Sequence, residues 1–283
     1  MRLRVIIQRL IDLHLHTTAS DGTLAPSELV SRARAAGLSI LSITDHDTTS
    51  GSDAARPAAH DAGLRLVPGI EISAVAEGRD LHVLGYFIDT ASAPLRAFLD
   101  RQRADRVRRV AEMGERLAAL GRPIDVAPIV ADAARGRSVG RPQIAAALVA
   151  AGHVRTRDEA FDRYLEFGGA AYVSRCGTSP EDVVAIIHAA GGIASLAHPG
   201  VSARDHLIAP LAAAGLDAIE AAHADHDAAT EARYRALAAG LGLLVTAGSD
   251  FHGDGGHRAS RLGAISLTTA EFESLALAAE GRR

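Results

Sequence analysis

The sequence predicts an α/β fold in which short strands alternate with helices. Seven apolar runs, each about as long as a strand, are separated by segments with helical patterning. Histidines and carboxylates recur where these runs end. The spacing breaks once, because about a hundred residues separate the fourth run from the fifth. The predicted strands are residues 5–16, 39–45, 64–72, 81–88, 193–198, 217–222 and 243–250.

Start and stop signals frame three of the segments between the predicted strands. Residues 26–37 have a proline near the start and a glycine at the end, which is typical of a helix. Residues 179–192 repeat this pattern, and residues 226–242 form the third predicted helix. We therefore expect helices to connect successive strands.

The long interval after the fourth strand is expected to hold an inserted helical lid subdomain, residues 92–171. Residues 1–91 and 172–283 then form the body of the fold. Residues 96–175 contain 15 arginines and 10 acidic residues, a net charge of +5, whereas the whole chain carries −4. A basic lid above an acidic body suits an anionic substrate that meets bound cations. A solvated amphipathic face is an equally open interpretation for Arg101, Arg103, Arg106, Arg108 and Arg109.

Composition excludes several kinds of site. Cys176 is the only cysteine, so an internal disulfide and a zinc site with two or more thiolates are excluded, which fits a reducing compartment. The chain contains no lysine, which excludes Walker A loops and Schiff-base chemistry. No apolar run approaches the roughly 20 residues of a membrane span, and the first residues lack the pattern of a signal peptide. We therefore expect a cytoplasmic protein.

The first predicted strand carries a cluster of side chains suited to metal binding. Alternate residues of a strand point to the same face, so Asp12, His14 and His16 are expected to share one face. Two imidazoles placed in this way can chelate one cation. Asp21 follows after a short loop and could fold back onto the same site.

Further histidines and carboxylates follow the other predicted strands. In a parallel barrel the loops after the strands converge on one face, so these side chains are expected to form a cage for several metal ions. The histidines outside this pattern, His60, His153, His188, His206 and His257, are expected to be structural. The residues that follow the pattern are Asp45, His46, Asp47, Glu71, His82, His198, Glu220, His223, His226, Asp250 and His252.

The mixture of imidazole and carboxylate groups favours Mn²⁺, Fe²⁺ or Zn²⁺. A glutamate can bridge two ions, and paired ions activate water for attack without a protein nucleophile. Asp45 is expected to orient a ligand histidine, or alternatively to cap the N-terminus of a helix.

Taken together, six motifs resemble the PHP (polymerase and histidinol phosphatase) family of metallo-phosphoesterases. They are DLHLHTTASDG, ITDHDTTSG, PGIEIS, LHVLGYFID, AHPG and GSDFHG. The resemblance implies a distorted (β/α)7 TIM-like barrel and three metal ions, with Mn²⁺ expected. It also implies the ligands. His14, His16, Glu71 and Asp250 would hold the first ion, Glu71, His82 and His198 the second, and Asp21, His46 and His252 the third.

Within this family the insertion, with VGRPQIAAALV and FDRYLEFGGAAYV, resembles the nucleoside 3',5'-bisphosphate phosphatase branch, which is also linked to 5'-3' removal of nucleotides from RNA. Arg141 and Arg175 are the candidates for binding a second phosphate, since arginine binds phosphate bidentately; a structural salt bridge remains the alternative for each. Gln143 stands where the branch is expected to have histidine. His223 and His226 are candidates for contacting phosphate or the leaving oxygen.

The resemblance implies hydrolysis of the 3'-phosphate of nucleoside 3',5'-bisphosphates by a metal-activated hydroxide. A 5'-3' exoribonuclease acting on short RNA and a histidinol-phosphate-type phosphatase would share the cage. A non-catalytic metal- or nucleic-acid-binding module is the alternative from a different class. The expected partner is a nucleotide bisphosphate or a short RNA 5' end, and nothing in the sequence indicates an obligate protein partner.

Overall fold

Seven strands form one sheet that curls into a nearly closed barrel. The structure, a computed structural model, describes residues 9–254 and 258–282. All seven predicted strands are present, although residues 5–8 of the first one lie outside the described residues. The strands are β1 (Leu10–Leu15), β2 (Leu38–Ile43), β3 (Arg65–Ala76), β4 (Arg79–Tyr86), β5 (Ile193–Leu196), β6 (Ala218–His223) and β7 (Leu244–Gly248).

The strands follow one another around the barrel in chain order. β1, β2 and β3 pair in parallel, as do β5, β6 and β7. The barrel closes where β1 meets the segment after β7, since the His16 amide donates to the Phe251 carbonyl at 3.0 Å. The predicted α/β barrel is therefore confirmed.

The direction of β4 differs from the expected parallel arrangement, because β4 is antiparallel to both β3 and β5. Only Glu77 and Gly78 connect β3 to β4, and both have positive φ, 52° and 73°. Two residues with positive φ form the tight turn of a hairpin, and a parallel connection needs a crossover of a dozen residues or more. The length of the turn therefore fixes the reversal.

Helices cover the outer face of the barrel. The three predicted helices are present with slightly shorter ends, and the side chains of Ser179 and Asp227 cap two of them. In the described chain the helices are α1 (Pro26–Ala35), α2 (Ser50–Asp61), α3 (Ala93–Ala119), α4 (Ala127–Ala134), α5 (Arg141–Ala150), α6 (Arg157–Ala160), α7 (Pro180–Ala189), α8 (Pro199–Ser202), α9 (Ile208–Ala213), α10 (Ala228–Leu241) and α11 (Thr269–Glu280).

The two faces of β1 show how the barrel divides its side chains. Ile11, Leu13 and Leu15 are fully buried on one face and pack in the apolar core. Asp12 and His14 are equally buried on the other face. Burial of both faces is typical of barrel strands and places polar groups inside, away from solvent.

The helices between β4 and β5 have an apolar core of their own. It joins Val110, Met113 and Leu117 of α3 to Ile144 and residues of the neighbouring helices. A π-helical turn, Phe161–Leu165, follows α6. The first turns of α3 pack on the barrel instead, so α3 belongs to both cores. The domain boundaries at residues 92 and 171 stay a prediction. Among the described helices, none combines the length and the apolar character needed to span a membrane.

Candidate metal centre

His14, in β1, and His16, just after the end of β1, meet two carboxylates inside the rim of the barrel. We call them the β1 histidines. The Nε2 atoms of His14 and His16 lie 3.1 Å apart. Asp250 Oδ1 lies 3.0 Å from His16 Nε2 and 3.4 Å from His14 Nε2. Glu71 Oε2 lies 3.3 Å and 3.4 Å from the same two nitrogens. Four ligand atoms, from β1, β3 and the segments that follow β1 and β7, thus converge on one point.

The second oxygen of Glu71 faces a different pair of histidines. Glu71 Oε1 lies 2.8 Å from His82 Nδ1 and 3.2 Å from His198 Nε2. Because its two oxygens face separate groups of nitrogens, Glu71 has the geometry of a bridging ligand.

A third group surrounds Asp21, which the loop after β1 folds back towards the barrel. Its carboxylate oxygens lie 3.3 Å from His252 Nε2 and 3.7 Å from His46 Nε2. His16 Nδ1 lies 3.7 Å from the same carboxylate and adds a fourth possible ligand. The structure therefore brings together all nine candidate ligands that the sequence indicated.

The reversal of β4 explains the place of His82. His82 lies near the start of its strand, whereas His16, His46, His198 and Asp250 lie near or beyond the ends of theirs. The start of an antiparallel strand lies at the same edge as the ends of its parallel neighbours. His82 thereby reaches the same rim.

The donor set fits cations. Ligand-type atoms with no hydrogen-bond partner among the described residues are buried here: Nδ1 of His16, His46, His82 and His198, and Oε2 of Glu71. Unpaired buried polar atoms are costly unless something binds them. Groups of nitrogen and carboxylate ligands within reach of one another match the coordination of Mn²⁺, Fe²⁺ or Zn²⁺.

The pKa values of His16 and Glu71 show that the buried carboxylates of this cluster stabilise positive charge beside them. Burial disfavours a charged His16, but Asp250 and Glu71 outweigh it and raise the pKa of His16 to about 10. Burial would raise the pKa of Glu71, yet His46, His82 and His14 hold it well below its ordinary value. Protons or metal ions can supply the charge that the carboxylates require.

Glu220 orients His14. Its Oε1 accepts a hydrogen bond from His14 Nδ1 at 2.9 Å. Because Nδ1 carries the proton, the lone pair of His14 Nε2 faces the cluster. Its Oε2 accepts from the His198 amide at 2.8 Å. The sequence placed Glu220 near the cage but did not indicate this role.

Within the described chain the Asp45 carboxylate makes no hydrogen bond or ion pair with an imidazole, in contrast to the expectation, and it does not cap α2, whose N-cap residue is Thr49. Its carboxylate accepts hydrogen bonds at 2.7 Å from the Thr17 amide, the Thr17 hydroxyl and the Ser20 hydroxyl. Asp45 therefore holds the loop that carries Asp21.

Three rim residues adopt a left-handed backbone conformation, which is uncommon outside glycine. The φ angles of Asp47, His198 and Asp250 are 51°, 29° and 49°. Such positions store strain and cluster at functional sites. Here the conformation turns each side chain back towards the barrel.

A small cavity, which we call the arginine cavity, adjoins the metal centre. It has a volume of about 80 Å³ and shares Asp21, His46 and His82 with the candidate ligands. Its remaining wall comes largely from the stretch between β4 and β5: Arg106, Arg109, Arg141, Pro142, Gln143 and Arg175, with Asp80 from β4.

The four arginines exceed the acidic groups that they contact. Arg106 Nε donates to Asp47 at 2.7 Å, and Arg141 Nη2 donates to Asp80 at 3.0 Å. Arg175 lies 3.5 Å from Asp47 and 3.3 Å from Asp80. With Asp21, which also lines the cavity, four cations face three carboxylates, so the cavity carries an excess of one positive charge.

Arg175 is buried without a full set of partners. Its Nε and Nη1, and Nη2 of Arg109, make no hydrogen bond within the described chain. Burial, followed by the repulsion of Arg106, lowers the pKa of Arg175 to about 10. Arg141 and Arg175 thus take part in salt bridges and also line the arginine cavity.

Gln143 ties the insertion to the barrel. Its side-chain oxygen accepts from the Gly140 amide at 2.8 Å, and its Nε2 donates to the Ser20 carbonyl at 2.9 Å. Gln143 therefore lines the cavity, but both polar atoms of its side chain are already hydrogen-bonded to backbone.

His223, the last residue of β6, and His226, just beyond it, have different surroundings. His223 is buried, and its Nε2 lies 3.4 Å from Asp250 Oδ2. His226, in contrast to the expectation, donates from Nδ1 to the Ala221 carbonyl and accepts at Nε2 from the Gly200 amide. Both ring nitrogens of His226 are engaged by backbone, so neither remains for a substrate.

Sequence reasoning did not single out several residues of the site. Asp80 anchors Arg141 and was not named, because its partner lies far along the chain. Asp47 was expected in the metal cage but instead anchors Arg106. Arg258 pairs with Asp250 and Asp225. Arg106 and Arg109 were indistinguishable from solvated arginines on an amphipathic helix.

A seven-stranded barrel with a histidine and carboxylate cluster at its rim defines a metal-dependent hydrolase. Residues 12–135 match the PHP domain model. The chain is 39% identical over 249 residues to a 5'-3' exoribonuclease of Haemophilus influenzae, covering 85% of this chain and 89% of the relative. The chain belongs to the PHP family of metal-dependent phosphoesterases.

Two further similarities extend over most of the chain. A 3',5'-nucleoside bisphosphate phosphatase of Chromobacterium violaceum is 36% identical over 257 residues, which is 87% of this chain and 89% of that protein. A crystal structure from Bifidobacterium adolescentis, assigned as a metal-dependent phosphoesterase, superposes with a TM-score of 0.86. That chain is 35% identical, and the match covers 95% of this chain and 96% of that one.

Proposed function

We propose that this protein removes the 3'-phosphate from nucleoside 3',5'-bisphosphates, for example converting adenosine 3',5'-bisphosphate to AMP. The observation that carries the proposal is the arginine cavity beside the metal centre, since His46 and His82 belong to both. A substrate with two phosphates can place one at the metal ligands and the other at the arginines. The relative of the same activity in Chromobacterium violaceum supports this choice.

The proposed cofactor is Mn²⁺, in three sites. His14, His16, Glu71 and Asp250 would hold the first ion. Glu71 would bridge to the second, held also by His82 and His198. Asp21, His46 and His252 would hold the third. Bound divalent ions would supply Lewis acidity that activates water and neutralises charge on the phosphate oxygens.

The residues around these ions have separate tasks. Arg175 and Arg109 bind the second phosphate through N–H groups that make no hydrogen bond in the described chain, and Asp80 holds Arg141 beside them. His223 accepts a hydrogen bond at Nδ1 from the Asp225 amide, so its Nε2 carries a proton that faces the centre. We assign His223 to donate this hydrogen bond to the phosphate or to the leaving oxygen.

The test is phosphate release from adenosine 3',5'-bisphosphate by the purified protein with Mn²⁺. Asp250→Ala is expected to abolish release, because it removes a carboxylate that lies within 3.4 Å of both β1 histidines. Asp254→Ala is the matched control, since this exposed carboxylate of the same loop pairs only with Arg32 in the described chain. Full activity of Asp250→Ala, or turnover unchanged after dialysis against a chelator, would contradict the assignment.

A 5'-3' exoribonuclease is the second candidate, as in the Haemophilus influenzae relative. It would cleave the same bond, between O3' of a 5'-phosphorylated nucleotide and the following phosphorus. Histidinol phosphate carries a single phosphate and would leave the arginine cavity unused. A screen with adenosine bisphosphate, short 5'-phosphorylated RNA and histidinol phosphate separates these activities, and we expect the last substrate to be the poorest.

A further inference from the structure

A second and larger cavity, which we call the outer groove, continues from the arginine cavity. Its volume is about 230 Å³, and it shares Asp80, His82 and Arg141 with the arginine cavity. His198 also lines it. Two proposed metal ligands therefore form part of its wall, so a chain attached to a phosphate at the metals can continue into this groove.

The outer groove carries exposed apolar surface. Phe167 and Val201 are each 52% exposed, and both line the groove. They come from different segments, Phe167 from the insertion and Val201 from α8, which follows His198. The described chain has four exposed large hydrophobic residues, and two of them, Phe167 and Val201, line this one groove. The exposure is thus concentrated beside the metal centre.

Arginine accompanies the aromatic residues of the groove. The guanidinium of Arg79 lies over the face of Phe167, 5.3 Å from the centre of the ring. Tyr172 packs edge-on against Phe167, with ring centres 5.5 Å apart, and so fixes the orientation of the ring. Arg204 also lines the groove. Arg79, Arg141 and Arg204 face the acidic residues Asp80 and Glu166, which leaves an excess of one positive charge.

We propose that the outer groove binds the second nucleotide of a 5'-phosphorylated single-stranded RNA, with its base stacked on Phe167. An aromatic platform within a positively charged groove is the usual arrangement for binding single strands, because every base offers a π face. The inference rests on the proposed function and names the substrate class of the same site.

The bond chemistry is common to the mononucleotide and the RNA. The oxygen of water forms a bond to phosphorus, the bond from phosphorus to O3' breaks, and O3' takes up a proton. With adenosine bisphosphate the products are AMP and inorganic phosphate. With RNA they are a 5'-mononucleotide and a chain with a new 5'-phosphate. In the RNA the second nucleotide stays attached to the phosphorus, on the side away from the first nucleoside, and the outer groove receives it.

The test compares Phe167→Ala with the parent protein on two substrates, adenosine 3',5'-bisphosphate and the 5'-phosphorylated dinucleotide pApA. We expect kcat/KM for the dinucleotide to fall about tenfold or more, the effect of losing one base stack. The value for the bisphosphate should stay within about twofold, which also shows that the variant folds. Phe167→Trp should retain dinucleotide cleavage. Leu120→Ala is the matched control, because Leu120 is an exposed apolar residue of the insertion outside both cavities.

A dinucleotide with an abasic second residue completes the test. For the parent protein, kcat/KM on the abasic dinucleotide should be as low as kcat/KM of Phe167→Ala on pApA. On the abasic dinucleotide itself, Phe167→Ala and the parent protein should have equal kcat/KM. An equal loss on all substrates, or an unchanged kcat/KM for pApA, would overturn the stacking proposal alone. Release of phosphate from the bisphosphate with no cleavage of pApA would do the same. Absence of activity on both nucleotides would instead overturn the proposed function with it.

Discussion

The two oxygens of Glu71 connect two halves of the metal centre. One oxygen faces the β1 histidines, and the other faces His82 and His198. Around Glu71, two buried carboxylates orient other parts of the site instead of serving as candidate ligands themselves. Glu220 fixes His14, and Asp45 fixes the loop of Asp21. Such supporting groups set the ring orientation and basicity of the ligands that they contact.

We expect Glu220→Gln to weaken Mn²⁺ binding by roughly 10–100-fold. A glutamine has one side-chain acceptor, so it cannot accept from both His14 Nδ1 and the His198 amide as Glu220 does. Isothermal titration calorimetry with Mn²⁺ measures the change. Glu231→Gln, which alters an exposed carboxylate of α10 paired with Arg235, is the control and should bind like the parent. An unchanged affinity for Glu220→Gln would show that Glu220 does not orient His14.

The junction of β1 and β7 is as important to the site as any single ligand. Gly248 ends β7 and lies against His14, so the two strands approach closely where the metal ligands begin. A Cβ atom at position 248 would lie 2.1 Å from His14 Cβ and 2.7 Å from the His14 amide nitrogen. Since the obstacle includes backbone, a side chain there requires the strands to separate.

Gly248→Ala is accordingly expected to destabilise the protein by about 1–3 kcal/mol, the usual cost of overpacking. Thermal unfolding, followed by circular dichroism without metal, measures the effect. Gly240→Ala provides the matched control, because a Cβ on this helical glycine meets nothing within 4 Å. We expect the control to be neutral or slightly stabilising, since alanine favours a helix. Equal unfolding temperatures for the two variants would refute the close approach.

The end of the barrel opposite the metal centre is held by a charged junction. Asp217 accepts from His188 at 2.8 Å and from the Ala194 amide at 2.8 Å, and it also pairs with Arg282. These contacts join α7, β5 and the C-terminal segment. Burial would raise the pKa of Asp217, but the bonds from His188, Ala194 and Arg282 outweigh it and lower the pKa below its ordinary value.

The stability contributed by Asp217 should therefore depend on pH. A carboxyl whose pKa is lowered by folding stabilises the protein above its unfolded pKa of about 3.9 and loses that effect as pH falls through its folded value. Asp217→Asn is expected to cost about 1–3 kcal/mol at pH 7, and the difference from the parent should shrink below about pH 4. Urea unfolding at a series of pH values measures both. A difference independent of pH would exclude a role for the charge.

The sequence predicted which histidines and carboxylates come together at the candidate metal centre, and their binding of metal stays a prediction. His14 and His16 share a face because a strand has a period of two, and Asp250 and His252 follow a strand that ends at the same rim. These relations are local. The direction of β4 was not predicted, because two residues, Glu77 and Gly78, decide it and the apolar pattern of β4 is the same in either direction.

The arginine cavity could not be predicted in the same way. Arg106 reaches Asp47, which is 59 residues away, and Arg175 reaches Asp80 only after the insertion has folded against the barrel. Such pairs depend on the packing of whole helices. His226 shows the opposite error, since a histidine near the cage was expected to be functional but its ring nitrogens bond to backbone.

The reversal of β4 also determines how the chain enters the insertion. Because β4 runs towards the far end of the barrel, α3 starts there, and its first half rises about 20–24 Å to bring Arg106 and Arg109 to the rim. All four arginines of the cavity, and Phe167 of the outer groove, consequently belong to the single stretch between β4 and β5, whereas all nine candidate metal ligands lie outside it. During evolution, exchange of this one stretch would alter which phosphate esters are accepted while the hydrolytic apparatus stays intact.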